Sequence, residues 1–478
     1  MRCRASLPCT LVRGIFEFYM KKLLFLFCAF VSAVAVCAQN YNPRPNADAV
    51  VTSGNVRFTV LTPEMIRIQY STSSTFDDRA TFGVVNRNLP VPSFQTRTED
   101  GYLYITTSAL ELRYKVGTRV NPQMKSPTNL QITFDMNGQK EVWYPGKEDS
   151  QNLKGTMRTL DNVAGDTHRG ELEDGIISRS GWALIDESPG TQRGDGSVSF
   201  PLEPNAETFD WVATPADANA YDWYFLGYGH DYKKALGDFT KIAGNIPLPP
   251  KYMFGYWYSR YWAYTQSEFM QIVRDIEAND IPMDVMIFDM DWHKSGWTGW
   301  SWNTQLIPNP KQLITWMHNH NLKVALNLHP ADGVANYEDN YQAIHDELGF
   351  PASYTGNVNW MIDRQDFYKS MFKNIIRLRE SEGVDFWWLD WQQERTLGEH
   401  RNAHGLADED GLSKLGMTFW NNHVFFNDMA KNRPDRRPII YHRWGGVGSH
   451  RYPIGFSGDT YATWPTLRWQ PYFTSAAS

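Results

Sequence analysis

Beyond Pro250 the chain shows a series of short, nearly continuous apolar runs, each closed by a polar or charged residue, and this series most constrains the fold. The runs are "YMFGYWYSR", "DVMIFDMDW", "KVALNLHP", "DFWWLDW", "PIIYHR" and "IGFSGD"; amphipathic segments such as "SEFMQIVRDIEAND", "KQLITWMHNHN", "FYKSMFKNIIRLRESEG" and "LGMTFWNNHVFFNDMAKN" lie between them. Strands without polar alternation are buried on both faces, so helices must cover them, and the pattern predicts a parallel α/β sheet. The closing residues are Arg260, Asp289, Asp291, His329, Asp390, Arg443 and Asp459. They share one face if the sheet curls into a (β/α)8 barrel, whose C-terminal strand ends carry the chemistry. No glycine-rich phosphate fingerprint follows any run, which disfavours a nucleotide-binding doubly wound sheet. Six runs are present where a closed barrel needs eight. The expectation is an incomplete barrel over residues 246–478 that ends inside a helix.

The preceding region reads differently. "NVRFTVLT", "MIRIQYS", "GYLYITTSALELRYKV" and "LQITFDM" are short runs divided by turn residues, as in an antiparallel β-sandwich. It is expected over residues 39–245, and Pro247, Pro249 and Pro250 stiffen the junction. A chain of 478 residues is long enough for two such units.

Residues 1–38 read as a signal peptide with an N-terminal extension. Lys21 and Lys22 precede an apolar run from Leu23 to Val36, and "VCA" ends at Ala38, the pattern of a cleavable secretory signal too short for a membrane span. Met20 is the expected start, and the expected location is secreted or periplasmic. Cys37 as a lipid anchor is the weaker alternative, because Val36 is bulky for such a site. All four cysteines, Cys3, Cys9, Cys28 and Cys37, fall in this leader, so the remaining chain has no thiol for disulfides, nucleophiles or thiolate metal sites. The leader holds five basic residues and one acidic; removing it takes the formal charge from −7 to about −11. Nucleic acid and anionic membrane are unsuited partners for such a chain.

Asp390 sits among Trp387, Trp388 and Trp391 in "VDFWWLDWQQER". A buried, unpaired carboxylate costs several kcal/mol, so this one needs a partner or a function. Asp459 closes the sixth run. Two carboxylates on one barrel rim are what glycoside cleavage requires, one at the anomeric carbon and one protonating the leaving oxygen; the plainer reading is that each caps a following helix. At about 5 Å the two repel by roughly 3 kcal/mol, or about two pKa units, enough to raise one towards about 6 as a general acid. Asp390 must stay ionised, and Arg443 at the end of the next run is the cation expected to oppose its desolvation.

Taken together, "WWLDWQQER", "HRWGGVGSHRYPIGFSGDTYATW", "GYWYSRYWAY", "FDMDWH" and, in the sandwich, "IISRSGWALIDES" resemble glycoside hydrolase family 31, the family of α-glucosidases, α-xylosidases and related retaining enzymes. The resemblance implies a galactose mutarotase-like sandwich before a TIM barrel. It implies Asp390 as nucleophile and Asp459 as acid/base. Asp289 corresponds to a carboxylate that binds a sugar hydroxyl, and Arg443, sixteen residues before Asp459, to an arginine contacting substrate and nucleophile. Trp388 and Phe456 correspond to aromatic walls, and Asp186 to a sandwich loop folded over the site; Asp291 and His293 are read as structural partners of Asp289. Two departures stand out. Gln393, followed by Glu394, occupies a place where the family commonly has Glu, which puts the usual glucose preference in doubt. The substrate-binding His and aromatic residue of the later barrel strands are absent.

No cofactor is expected. "DMDWH" and the pair His318 and His320 do not make a metal site, since i, i+2 positions on a helix face apart and no HExxH or calcium-loop spacing occurs. The resulting expectation is a retaining, exo-acting α-glycosidase acting on an α-linked oligosaccharide or polysaccharide, with glucose as the default sugar. α-Xylose, α-galactose and α-N-acetylgalactosamine are the alternatives, and an inactive carbohydrate-binding remnant is the rival.

Overall fold

The alternating runs form two facing antiparallel sheets. One has five strands in the order Val50–Ser53, Val56–Thr62, Met65–Tyr70, Tyr221–Leu226, Ala183–Asp186; the other is a five-stranded meander from Gln95–Glu99 to Gln139–Trp143. In the meander, Tyr102–Thr106 alternates between half-buried and buried, as one core-facing side requires. Phe58, Ile68 and Phe225 of the first sheet meet Ile105, Ile132 and Phe134 of the second in one core. Met65–Tyr70 is buried throughout, because its other side is covered. Helix Tyr232–Ala243, capped by Asp231, lies over it with Ala235, Phe239 and Ile242. This helix falls within the region expected to be all sandwich. Arg67 shares that buried strand and is neutralised by Asp222 at 2.6 Å and Asp78 at 2.7 Å.

The computed structural model describes residues 41–155, 173–390, 394–408, 410–443 and 446–477. The expected leader, and Trp391 and Gln393 of the Asp390 motif, lie outside these residues. No helix among the described residues is long and apolar enough to cross a membrane.

Beyond the proline junction six strands pair in parallel and in chain order: β1 (Trp257–Tyr258), β2 (Val285–Phe288), β3 (Lys323–Leu328), β4 (Phe386–Leu389), β5 (Ile440–Arg443) and β6 (Gly455–Phe456). Residues Val285–Phe288 and Phe386–Leu389 are wholly buried. The intervening helices include Gln266–Ala278, Pro310–Asn319 and Met417–Asn432. The first of these starts with a reciprocal capping box between Thr265 and Glu268. The run "FYKSMFKNIIRLRESEG" forms helical turns from Gln365 to Glu382, interrupted by a π-helical stretch over Phe372–Ile376. Sequential parallel order with helical crossovers is the arrangement of a (β/α) barrel wall.

The buried core does not stop at the proline junction. A small sheet of Ala80–Thr81, Pro201–Glu203 and Trp211–Val212 contributes Phe82, Phe200, Leu202 and Trp211 to the same cluster as the barrel strands. Phe82 stacks on Phe419 at 4.3 Å between ring centres, and Trp211 meets Trp420 edge-on at 5.0 Å. The described residues from 42 onward accordingly pack as one compact unit.

Candidate active site

Register brings the chemistry together. Leu328 pairs with Leu389, and Leu389 with His442, so the residues just past these positions, His329, Asp390 and Arg443, emerge side by side at the carboxyl edge of the sheet. Asp390 is 6% exposed. Arg443, 1% exposed, donates to its Oδ1 from Nη2 at 2.7 Å and from Nε at 3.1 Å. The other oxygen, Oδ2, lies 3.2 Å from both His329 Nε2 and Asn327 Nδ2. Burial alone would raise the Asp390 pKa, but the His329 hydrogen bond and the Arg443 charge outweigh it, and the carboxyl is held below the usual range.

Asn327 also donates to Asp289 Oδ1 at 2.8 Å, so one amide links two carboxylates. Asp289 additionally accepts from the Met290 N–H at 2.7 Å, capping the short turn Met290–Trp292. Its pKa is raised, first by burial and also by the Asp390 charge. The expectation that Asp291 and His293 are its partners is not met: among the described residues its hydrogen bonds go to Met290 and Asn327. The reason is geometric, since Asn327 lies on the adjacent strand while the turn Met290–Trp292 carries the chain away from it.

Asp459 follows β6 and is the exposed member, its side chain 80% accessible. Arg443 Nη2 stands 3.7 Å from its Oδ2 and 2.7 Å from Asp390 Oδ1, so those two oxygens are separated by no more than 6.4 Å. Beneath them Phe456 packs under the Arg443 guanidinium at 4.9 Å and edge-on to Trp388 at 5.0 Å, with Tyr441 5.2 Å from Trp388. Burial raises the Tyr441 hydroxyl pKa. Trp388 is 6% exposed and serves as the floor of this cluster. Asp186 is not brought into it. Among the described residues its oxygens accept from the Ser188 N–H at 2.9 Å and the Thr191 hydroxyl at 3.0 Å, within its own turn; burial, opposed by these bonds, raises its pKa.

Three buried polar atoms of the cluster, Asn327 Oδ1, His329 Nδ1 and Trp388 Nε1, have no protein partner among the described residues. Unsatisfied buried polar atoms are costly, so their gathering around Asp390 marks this as a special part of the fold. Asn327 and the role of His329 were missed from sequence, although a lone Asn inside "VALNL" was a visible signal. Glu394, His400 and His404 also converge, with ligand-type atoms within 4.8 Å of one another. Their E-x5-H-x3-H spacing falls outside the metal patterns sought in the sequence.

A sandwich leading into a parallel, helix-covered barrel sheet, with paired carboxylates and a guanidinium on its carboxyl edge, is the architecture of a glycoside hydrolase. Residues 246–477 belong to glycoside hydrolase family 31, matching the family described as glycosyl hydrolases family 31 TIM-barrel domain. The chain is 24% identical over 254 residues to an α-xylosidase of Saccharolobus solfataricus, covering 52% of this chain and 34% of that protein. It is 26% identical over 287 residues to α-glucosidase 2 of Bacillus thermoamyloliquefaciens, covering 53% and 34%. The chain thus spans about a third of the length of these curated relatives. In fold it is similar to a family 31 dextranase of Flavobacterium johnsoniae complexed with glucose, with a TM-score of 0.58 at 16% identity over 86% of this chain and 55% of that one.

Proposed function

We propose that this chain carries the catalytic centre of a retaining, exo-acting α-glycosidase that removes a terminal α-linked glucose or xylose from oligosaccharides or polysaccharides. The observation that carries the reading is Arg443 standing between Asp390 and Asp459, with a ceiling of 6.4 Å on their oxygen separation. Retaining enzymes hold the two carboxyl groups about 5–5.5 Å apart, a spacing this ceiling admits, and the match to family 31 over residues 246–477 supports double displacement. In the first step Asp390 Oδ2, the oxygen with the longer contacts, attacks the anomeric carbon as Asp459 protonates the departing oxygen. In the second step Asp459 takes a proton from water, which displaces the glycosyl ester. Arg443 steadies the Asp390 carboxylate as it is released. Asp289 is assigned to a sugar hydroxyl, and Phe456 to the sugar's apolar face. The name of one relative, α-glucosidase, and of the other, α-xylosidase, supports these two sugars ahead of galactose or N-acetylgalactosamine. The basic, apolar and small-residue succession over residues 20–38 supports export to a secreted or periplasmic location.

The test is a panel of nitrophenyl α-glycosides assayed with the parent and with Asp390→Ala and Asp459→Ala. One sugar should be released, with turnover lost by orders of magnitude in Asp390→Ala. In Asp459→Ala, azide should restore part of the rate as an α-glycosyl azide. Unchanged turnover in Asp390→Ala refutes the nucleophile assignment, and binding without turnover in the parent favours a carbohydrate-binding remnant.

A further inference from the structure

Helix Leu397–Ala403 begins at Thr396, whose hydroxyl accepts from the Glu399 N–H. It presents His400 and, at its C-terminal cap, His404. Positions four apart lie on one helix face, and the two imidazoles are 4.6 Å apart between centres. His400 is completely buried. Its Nε2 lies 2.9 Å from the Trp360 carbonyl oxygen, which only accepts, so Nε2 bears the proton. The other nitrogen, Nδ1, faces Glu394 Oε2 at 3.2 Å. No hydrogen bond to the His404 ring is present among the described residues.

We propose that Glu394, His400 and His404 form a divalent transition-metal site, best suited to Zn2+. A carbonyl holding the far N–H of a histidine is the usual support of a metal-bound imidazole, fixing the tautomer and aiming the free lone pair at the ion. That is the arrangement of His400: with Nε2 protonated, a neutral ring turns its Nδ1 lone pair on a carboxylate oxygen, and a cation between them removes the repulsion. Bonds of 2.0–2.2 Å in a tetrahedral zinc site put ligand atoms about 3.3–3.5 Å apart. The Glu394–His400 pair at 3.2 Å is already at that spacing. The widest separation in the trio is within 4.8 Å, and rotation of the half-buried His404 ring at the helix end closes it. Two imidazoles and one carboxylate suit zinc and its first-row neighbours, whereas calcium and magnesium require oxygen ligands. Glu394 and His404 are both partly exposed, so water completes the coordination. The ion would tie Glu394, four residues past Asp390, to the following helix, making it a positioning device for the nucleophile segment. The rival arrangement is a buried ion pair between Glu394 and a doubly protonated His400.

The experiment is a zinc titration of the chelator-stripped, dialysed protein in competition with a chromophoric chelator, alongside Co2+ uptake followed by visible absorption. His404→Ala and Glu394→Gln alter partly exposed residues, and circular dichroism checks that they fold. The proposal expects one tight zinc equivalent per chain, a higher melting temperature with zinc, and d–d bands with Co2+. Each variant should lose at least about tenfold in affinity. A parent that takes up no zinc in the titration, or variants that bind it with parental stoichiometry and affinity, overturns the proposal in favour of the ion pair.

Discussion

Replacing Arg443 by Gln isolates the electrostatic part of the candidate site. The guanidinium is 1% exposed and makes two contacts, 2.7 and 3.1 Å, with one oxygen of Asp390. With charge centres about 4 Å apart and an effective dielectric near 20, their attraction is about 4 kcal/mol, or about three pKa units. His329 and Asn327 still donate to the other oxygen, and the new amide returns one neutral donor, so the Asp390 pKa should rise, by less than the full loss of the Arg443 charge. As the proposed nucleophile, Asp390 must be ionised to attack. The acid limb of kcat/KM for an aryl α-glycoside should therefore move to higher pH, with a larger loss on the acid side than on the alkaline side. The stability sign follows from the same shift. A carboxylate whose folded pKa is depressed stabilises the fold above its unfolded value and loses that contribution as pH falls through the folded value. In the variant the contribution is absent at neutral pH, and breaking a buried pair costs about 3–5 kcal/mol, read as a lower denaturant midpoint. Arg443→Lys, which keeps the charge, should keep the acid limb near its parental position. An Arg443→Gln limb within about half a unit of the parent would refute the electrostatic coupling.

Two further predictions concern the frame. His293 and His423 are 4% and 5% exposed, and burial lowers the pKa of each to about 4. Unfolded, they titrate near 6.5, so between these values unfolding takes up protons and stability falls on acidification by about 1.4 kcal/mol per pH unit for each. Urea midpoints measured across this window should show the slope, and His423→Gln should remove about half of the two-histidine share; an unchanged slope sinks the assignment. Gly448 has φ +101°, and a Cβ there would stand 2.0 Å from the Phe82 carbonyl oxygen. Gly448→Ala should cost at least about 2 kcal/mol, and a parental denaturant midpoint would contradict that packing.

Much of this organisation was legible in the sequence, because burial on both faces leaves a signature. "VMIF", "VALNL" and "FWWL" could not be solvent-facing strands, and the polar residue closing each run marked the rim. Asp390 and Arg443 were readable for that reason. Contacts across strands were not, since they depend on register: nothing in "KVALNLHP" states that Asn327 will lie between Asp289 and Asp390. Asp186 was placed by resemblance alone, and its short turn supplies donors of its own. The helix over the sandwich escaped notice because Tyr232–Ala243 is a single segment among many strands. The shared core through Phe82 and Trp211 was hidden because two- and three-residue strands carry too few positions for any period to show.

The segment before β6 is fastened to the sandwich. Arg451 donates to the Ala243 and Phe82 carbonyl oxygens at 2.6 Å each, and His450 Nε2 lies 2.9 Å from the Gly244 carbonyl. Asp390, by contrast, is anchored to β3 and β5. The two carboxylates of the site therefore share the barrel sheet, through Arg443 and the pairing of β6 with β5, but the loop leading to Asp459 has a second footing outside it. On the proposed roles, damage confined to the sandwich would reach the proton donor through that second footing, which Asp390 lacks. Such a protein would still process substrates whose leaving group departs without help, and would fail first on those whose leaving group is another sugar.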